Sequence, residues 1–159
     1  FDLDGVVLDA THRQAIYNQD DVKAGKCTVE QIGQLDLDKY RANTTAEQVA
    51  QDRDMPLMMV IRKLNAIGRP YHVATARVIR ECPHSTALLK ARNINPIILM
   101  DRDGDNDKRR DSVLKGDHFC HKFTQRQREN MVLIDDSLGN CNTAIELGMK
   151  AIHVPFGGH

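Results

Sequence analysis

The strongest constraint on this chain is a rhythm of short apolar runs, each too brief for a helix, separated by longer stretches. The runs lie in FDLDGVVLD from Phe1, PYHVATAR from Pro70, PIILM from Pro96, MVLI from Met131 and KAIHV from Lys150. Strand-like runs alternating with helical patterns are the mark of a parallel α/β sheet. Between the runs, Asp54 is placed to cap a helix in which Leu57, Val60, Ile61 and Leu64 recur at helical spacing, and Gly68 is placed to end it. Pro83 to Asn93 predicts a second helix with Ala87, Leu88 and Ala91 on its buried side. A further helix runs through Ala144, Ile145 and Leu147 to Gly148. Residues 11–54 are polar, with no convincing strand, and predict helices and loops inserted over one end of the sheet. The expectation is one doubly wound, Rossmann-like domain over residues 1–159, with 11–54 as a small helical insertion after the first strand.

Open parallel sheets bind their ligands beyond the carboxyl ends of the strands. The polar residues just after each apolar run are therefore the first candidates for a site. The first run leads to Asp2, Asp4 and Gly5, the second to Thr75 and Arg77, the third to DRDGDNDKRRDSVLK ending at Lys115, and the fourth to Asp135 and Asp136. These residues make a coherent set. Carboxylates such as Asp2 and Asp135 suit a hard divalent cation, and Mg2+ needs few protein ligands. Asp2 is also able to attack phosphorus, splitting one displacement into two easier ones. Asp4 is placed to protonate the leaving oxygen and then deprotonate water, while Thr75 and Lys115 answer charge on the phosphoryl oxygens.

Composition narrows the alternatives. Lysine plus arginine and aspartate plus glutamate each total 22, so no global field gathers nucleic acid, and aromatics at 4% with no tryptophan argue against a base-stacking platform. The four cysteines, Cys27, Cys82, Cys120 and Cys141, form no CxxC pair and read as free thiols of a reducing cytoplasm. No run is long enough for a membrane span, so no membrane partner is expected. Phe1 looks like the end of a buried strand, so the natural chain is expected to begin earlier, with an upstream domain or self-association both open. A calcium loop at Asp101 fails because glycine falls fourth, at Gly104, and Ser112 stands where a bidentate glutamate is needed. His118, Cys120 and His121 lack a second cluster for zinc and read as part of an amphipathic helix.

DLDGV at 2–6, Thr75 after a strand, Lys115 and the Asp135–Asp136 pair resemble, in order, the four motifs of the haloacid dehalogenase (HAD) superfamily. The resemblance implies an HAD-like doubly wound parallel sheet and an Mg2+-dependent phosphatase working through an aspartyl-phosphate. It implies Asp2, Asp4, Thr75 and Lys115 as catalytic residues, and Asp2, Asp4, Asp135 and Asp136 around the metal. Which of Asp135 and Asp136 binds directly stays open. THR at 11–13, TAR at 75–77, Arg102 with RRDSVLK at 109–115, DDS at 135–137 and the closing GMKAIHVPFGGH are similar to the 3′-phosphatase domains of bacteriophage polynucleotide kinases. That narrower resemblance implies Arg13, Arg77, Arg102 and Asp111 at the phosphate and substrate entrance, and a phosphorylated nucleic-acid end as substrate. A nucleotidase acting on free nucleoside monophosphates is the nearest alternative, and a non-catalytic phosphate- or nucleic-acid-binding module is the alternative of another class. For the three arginines a surface salt bridge competes with substrate binding, and for Thr75 a helix cap. Val6 departs from the usual threonine, and no P-loop occurs.

Overall fold

A computed structural model describes residues 1–155; the last part of the GMKAIHVPFGGH segment, 156–159, lies outside the described residues. The chain divides into two compact units, one made of Phe1–Asp9 with the chain from Arg53 onward, the other of Ala10–Asp52.

In the first unit, strand β3 (Val73–Ala74) pairs in parallel with β4 (Leu99–Met100), and β5 (Val132–Asp135) pairs in parallel with β6 (Lys150–His153). The opening residues join the two ladders. His72 O accepts from Phe1 N and Phe1 O accepts from Ala74 N–H on one side, while Asp2 N–H donates to Ile134 O on the other, each at 2.9 Å. The β3–Phe1 bonds are those of parallel pairing. The chain therefore leaves the opening segment, β3 and β5 at neighbouring points, which brings Asp2, Thr75 and Asp135 towards one another. Side chains of Ala74, Met100, Phe119, Phe123, Leu133, Ala144 and Met149 form the core beneath.

The helices follow from local chemistry. Helix α4 (Met58–Ala66) buries Met58 and Ile61 and ends where Gly68 takes φ +65° and Arg69 N–H returns to Leu64 O. Helix α5 (Pro83–Ala91) starts on a proline, whose missing N–H is not needed in a first turn. Helix α6 (Asp111–Lys122) turns Leu114, Lys115 and Phe119 inward, α7 (Gln125–Arg128) is capped by Thr124, and α8 (Leu138–Glu146) is capped by Ser137. The cap expected at Asp54 is corrected. Arg53–Asp54 is strand β2, antiparallel to β1 (Leu8–Asp9), and Met55 N–H continues the pairing to Val7 O. Extended backbone thus runs through Asp54, and its carboxylate instead receives Arg62 and Arg92. His118 Nε2 meets Asp101 O at 2.9 Å, while His121 Nδ1 meets Asp117 O of its own helix.

The second unit is built from short helices, α1 (Gln19–Lys23), α2 (Leu37–Ala42) and α3 (Ala46–Ala50), each with a side-chain cap from Asn18, Asp36 and Thr45 respectively. Its buried apolar residues are few, Ala10 and Val49, and a buried pair does much of the tying: Arg13 forks onto Asp52 with both contacts at 2.8 Å. No helix among the described residues is long and apolar enough to cross a membrane.

Candidate active site

The site is assembled around a buried cation. Amphipathic spacing in α6 puts Lys115 on the inward face, and its Nζ lies 2.6 Å from Asp135 Oδ2 and 3.1 Å from Asp2 Oδ1. Lys115 is 1% exposed and Asp135 is 0% exposed, so these charges are removed from water. Such burial costs several kcal/mol per ion and is tolerated only when the partners are well placed. Burial pushes the Asp2 carboxyl up to about 7; Lys115 opposes the rise, Asp135 and Asp4 add to it, and the Leu3 N–H bond opposes it. Burial also works against the charge on Lys115, but Asp2 and Asp135 outweigh it and hold the amine above the ordinary lysine range. The cluster therefore carries negative charge that one lysine does not fully answer.

Asp135 is held from every side. Its Oδ1 accepts from Ser137 N–H at 2.9 Å, and Asn140 Nδ2 lies 3.0 and 3.2 Å from its two oxygens. Asp2, Asp135 and Asp136 each offer a carboxylate oxygen within 4.8 Å of the others. Gly5 makes this approach possible. It has φ +75°, and a Cβ there would come within 2.2 Å of Asp136 Oδ2. Hard oxygen donors converging on excess buried negative charge fit a small divalent cation.

Asp4 is not part of that carboxylate group. Its oxygens are taken by Arg77 in a two-pronged pair, Nε to Oδ2 at 2.8 Å and the terminal nitrogen to Oδ1 at 2.5 Å. The Arg77 side chain is 5% exposed, and that of Asp4 is 30% exposed. Thr75 follows β3, with its N–H on Met100 O at 2.8 Å and its Oγ1 accepting from Arg77 N–H at 3.2 Å. That bond uses the hydroxyl as an acceptor and leaves its proton to be donated elsewhere.

The remaining sequence-predicted residues are engaged elsewhere. The Arg102 guanidinium reaches the carbonyl oxygens of Ala76, Asp107 and Arg109 and the carboxylate of Asp111. Asp111, half-exposed on the first turn of α6, serves as that partner. Arg13 lies in the second unit, where Asp52, Thr44 Oγ1 and the Tyr40 ring surround its guanidinium.

Comparison with known proteins bears on what such a cluster is for. The family model described as bacteriophage T5 5′-deoxynucleotidase matches residues 1–155. The chain belongs to this family. No curated protein sequence matches. Among solved structures, the nucleotidase-family chain is similar to one in the Pnkp1/Rnl/Hen1 RNA repair complex, with 22% identity over 72% of this chain and 37% of that one, TM-score 0.56. It is similar to a chain of another Pnkp1/Rnl/Hen1 complex structure, with 18% identity, coverage of 99% and 45%, and TM-score 0.64. It is also similar to a haloacid dehalogenase-like hydrolase from Streptococcus pneumoniae, with 13% identity, coverage of 96% and 81%, and TM-score 0.62. The chain thus spans less than half the length of the two repair-complex chains. At these identities the likeness is one of fold, and the fold is HAD-like.

Two side chains of this nucleotidase-family site escape a reading of the sequence. Asn140, 3% exposed, grips Asp135 from the first turn of α8. Its signal is the spacing DDSLGN, which returns the fifth residue after Asp135 to the strand end. Asp101 is 1% exposed and accepts from Ile79 N–H, Arg80 N–H and Arg80 Nε. In the sequence it is camouflaged as the first acid of a solvated run.

Proposed function

We propose that this chain is an Mg2+-dependent phosphomonoesterase that forms an aspartyl-phosphate on Asp2 and acts on deoxynucleoside 5′-monophosphates. The observation that carries the chemistry is the Asp2–Lys115–Asp135 cluster at the strand ends, with Asp136 beside it. The substrate class rests on the family match over residues 1–155. The doubly wound arrangement with 11–54 as a small helical insertion belongs to the same reading.

An Asp2 oxygen attacks phosphorus while the bond from phosphorus to the nucleoside oxygen breaks. Asp4 gives its proton to the departing oxygen, leaving a free nucleoside and a phosphorylated Asp2. Water then attacks the same phosphorus, Asp4 takes its proton, and Asp2 is released with inorganic phosphate. Lys115 neutralises Asp2 and the phosphoryl oxygens, and the Thr75 hydroxyl donates to one of them. A phosphate dianion beside Asp2 takes over one prong of Arg77, which frees one Asp4 oxygen to carry the proton while the other prong keeps the carboxyl aimed. Asp2, Asp135 and Asp136 would hold the cation. When bound it supplies positive charge that keeps Asp2 ionised and polarises the phosphoryl group.

The polynucleotide 3′-phosphatase reading draws on the arginine pattern. Arg13 and Arg102 are engaged by Asp52 and Asp111, which weakens their part in it. Phosphate release from deoxynucleoside 5′-monophosphates, their ribo counterparts and a 3′-phosphorylated oligonucleotide, each with Mg2+ and with EDTA, tests the assignment. The deoxynucleotides with Mg2+ should turn over best. Faster turnover of the oligonucleotide would replace the nucleotidase reading with the polynucleotide one.

A further inference from the structure

The segment after β3 carries Thr75 and Arg77, yet it is an irregular loop with no ladder of its own to fix it. What fixes it is the dipeptide leaving β4. Asp101 accepts from Ile79 N–H at 3.0 Å and Arg80 N–H at 2.9 Å, and binds Arg80 Nε at 2.6 Å. Next in sequence, Arg102 N–H donates to Arg77 O and Arg102 Nε donates to Ala76 O, both at 3.0 Å. Arg77 is therefore tied on both flanks, at Ala76 and at Ile79–Arg80, as well as at its own carbonyl.

The far side of the Arg102 guanidinium is anchored in turn. One terminal nitrogen donates to Asp107 O at 2.7 Å and Arg109 O at 2.8 Å, and the other to Asp111 at 2.8 Å. Asp107 is itself clasped by Arg109, which also reaches Asp117 on α6. With its side chain 13% exposed, Arg102 presents little to solvent and much to the backbone. A planar, forked donor bridging three carbonyls is a device for holding loops, and one that a lysine cannot reproduce.

The geometry points to Asp101 and Arg102 as positioning residues: together they clamp the Thr75–Arg80 loop so that Arg77 meets Asp4 in the two-pronged pair. This inference deepens the phosphomonoesterase reading and rests on it. Neither residue touches the reacting atoms. Their effect reaches the reaction through Arg77 and the direction it imposes on Asp4, the residue that protonates the leaving oxygen. A clamp of this kind has a signature that a general weakening of the fold lacks. A nucleoside leaving group needs the proton, whereas p-nitrophenolate departs without one.

The test compares kcat and KM on a deoxynucleoside 5′-monophosphate and on p-nitrophenyl phosphate, for wild type, Arg102→Gln and Asp111→Asn. Arg102→Gln should lower kcat/KM on the nucleotide by ~10-fold or more while changing that on p-nitrophenyl phosphate by less than ~3-fold, a part of the range open to general acid catalysis. That ratio covers steps only up to departure of the leaving group, and not the water step that Asp4 serves for both substrates. Asp111→Asn, at a half-exposed position, should give the same selective pattern more weakly, and it carries the test if Arg102→Gln fails to fold. Equal losses on both substrates overturn the proposal in favour of a merely structural role. A raised KM with unchanged kcat on both overturns it in favour of direct phosphate contact by Arg102, and unaltered kinetics overturn it outright. Wild-type inactivity on both substrates would instead remove the phosphomonoesterase reading beneath it.

Discussion

Replacing Lys115 by methionine keeps most of the side-chain volume and removes one charge. In the folded protein that charge lies 2.6 Å from Asp135 and 3.1 Å from Asp2, with lysine and Asp135 both essentially without solvent. Its loss leaves two buried carboxylates facing each other, with Asp136 alongside. Breaking a buried pair by removing one partner costs about 3–5 kcal/mol. For a chain of this size each kcal/mol moves the melting midpoint by about 2–4 °C, so Lys115→Met should melt roughly 6–20 °C below wild type. That figure applies in EDTA. With Mg2+ a second source of positive charge is available to the same oxygens, so most of the deficit should disappear. Circular-dichroism melts of both proteins, with EDTA and with Mg2+, measure the difference. Activity with Mg2+ should still fall by ~100- to 1,000-fold, because in the proposed mechanism the lysine also answers charge on the phosphoryl group. A melting shift below about 3 °C in EDTA, or an equal shift with and without Mg2+, would refute the claim that lysine and cation share one pool of negative charge.

Two further outcomes come from the same cluster. The Asp2 carboxyl is held near 7 against an ordinary 3.8, so the fold keeps a proton that the unfolded chain releases. Its contribution to stability is present below roughly pH 4 and is lost as pH climbs to about 7, and in metal-free buffer wild type should weaken over that window more than Asp2→Asn; parallel denaturation curves would contradict this. Asp2→Asn should also lose phosphate release altogether while remaining folded. Gly5→Ala places a methyl group where the Asp136 carboxylate lies and forces alanine to φ +75°. It should cost about 1–2 kcal/mol in stability and weaken Mg2+ dependence of activity to higher concentrations; an unchanged Mg2+ titration would show that Asp136 does not face the cation.

Part of this site is legible in one dimension because its chemistry is local. Asp2, Thr75 and Asp135 each come at the end of an apolar run, and parallel pairing brings such ends together without further information. Lys115 is similarly readable, since helical spacing from Leu114 and Phe119 sets which face it occupies. Asp54 shows the limit. A helix pattern begins just after it, so a cap is the local inference, but the competing acceptor and donor lie on β1, 46 residues away, where Leu8 is paired to it. Arg13 and Arg102 show the same limit for side chains. A guanidinium has several donors and a long stem, and nothing local tells which acceptors it will meet.

What the sequence by itself determined is the alternation of strands and helices and the order of polar residues at the strand ends, because side-chain periodicity and turn chemistry act over a few residues. Which of those polar residues face one another was decided only by the tertiary structure. Lys115 meets Asp135 across 20 positions of sequence and Arg77 meets Asp4 across 73. Pairings of that span depend on how the backbone is brought together and on which charges are stripped of water when it is.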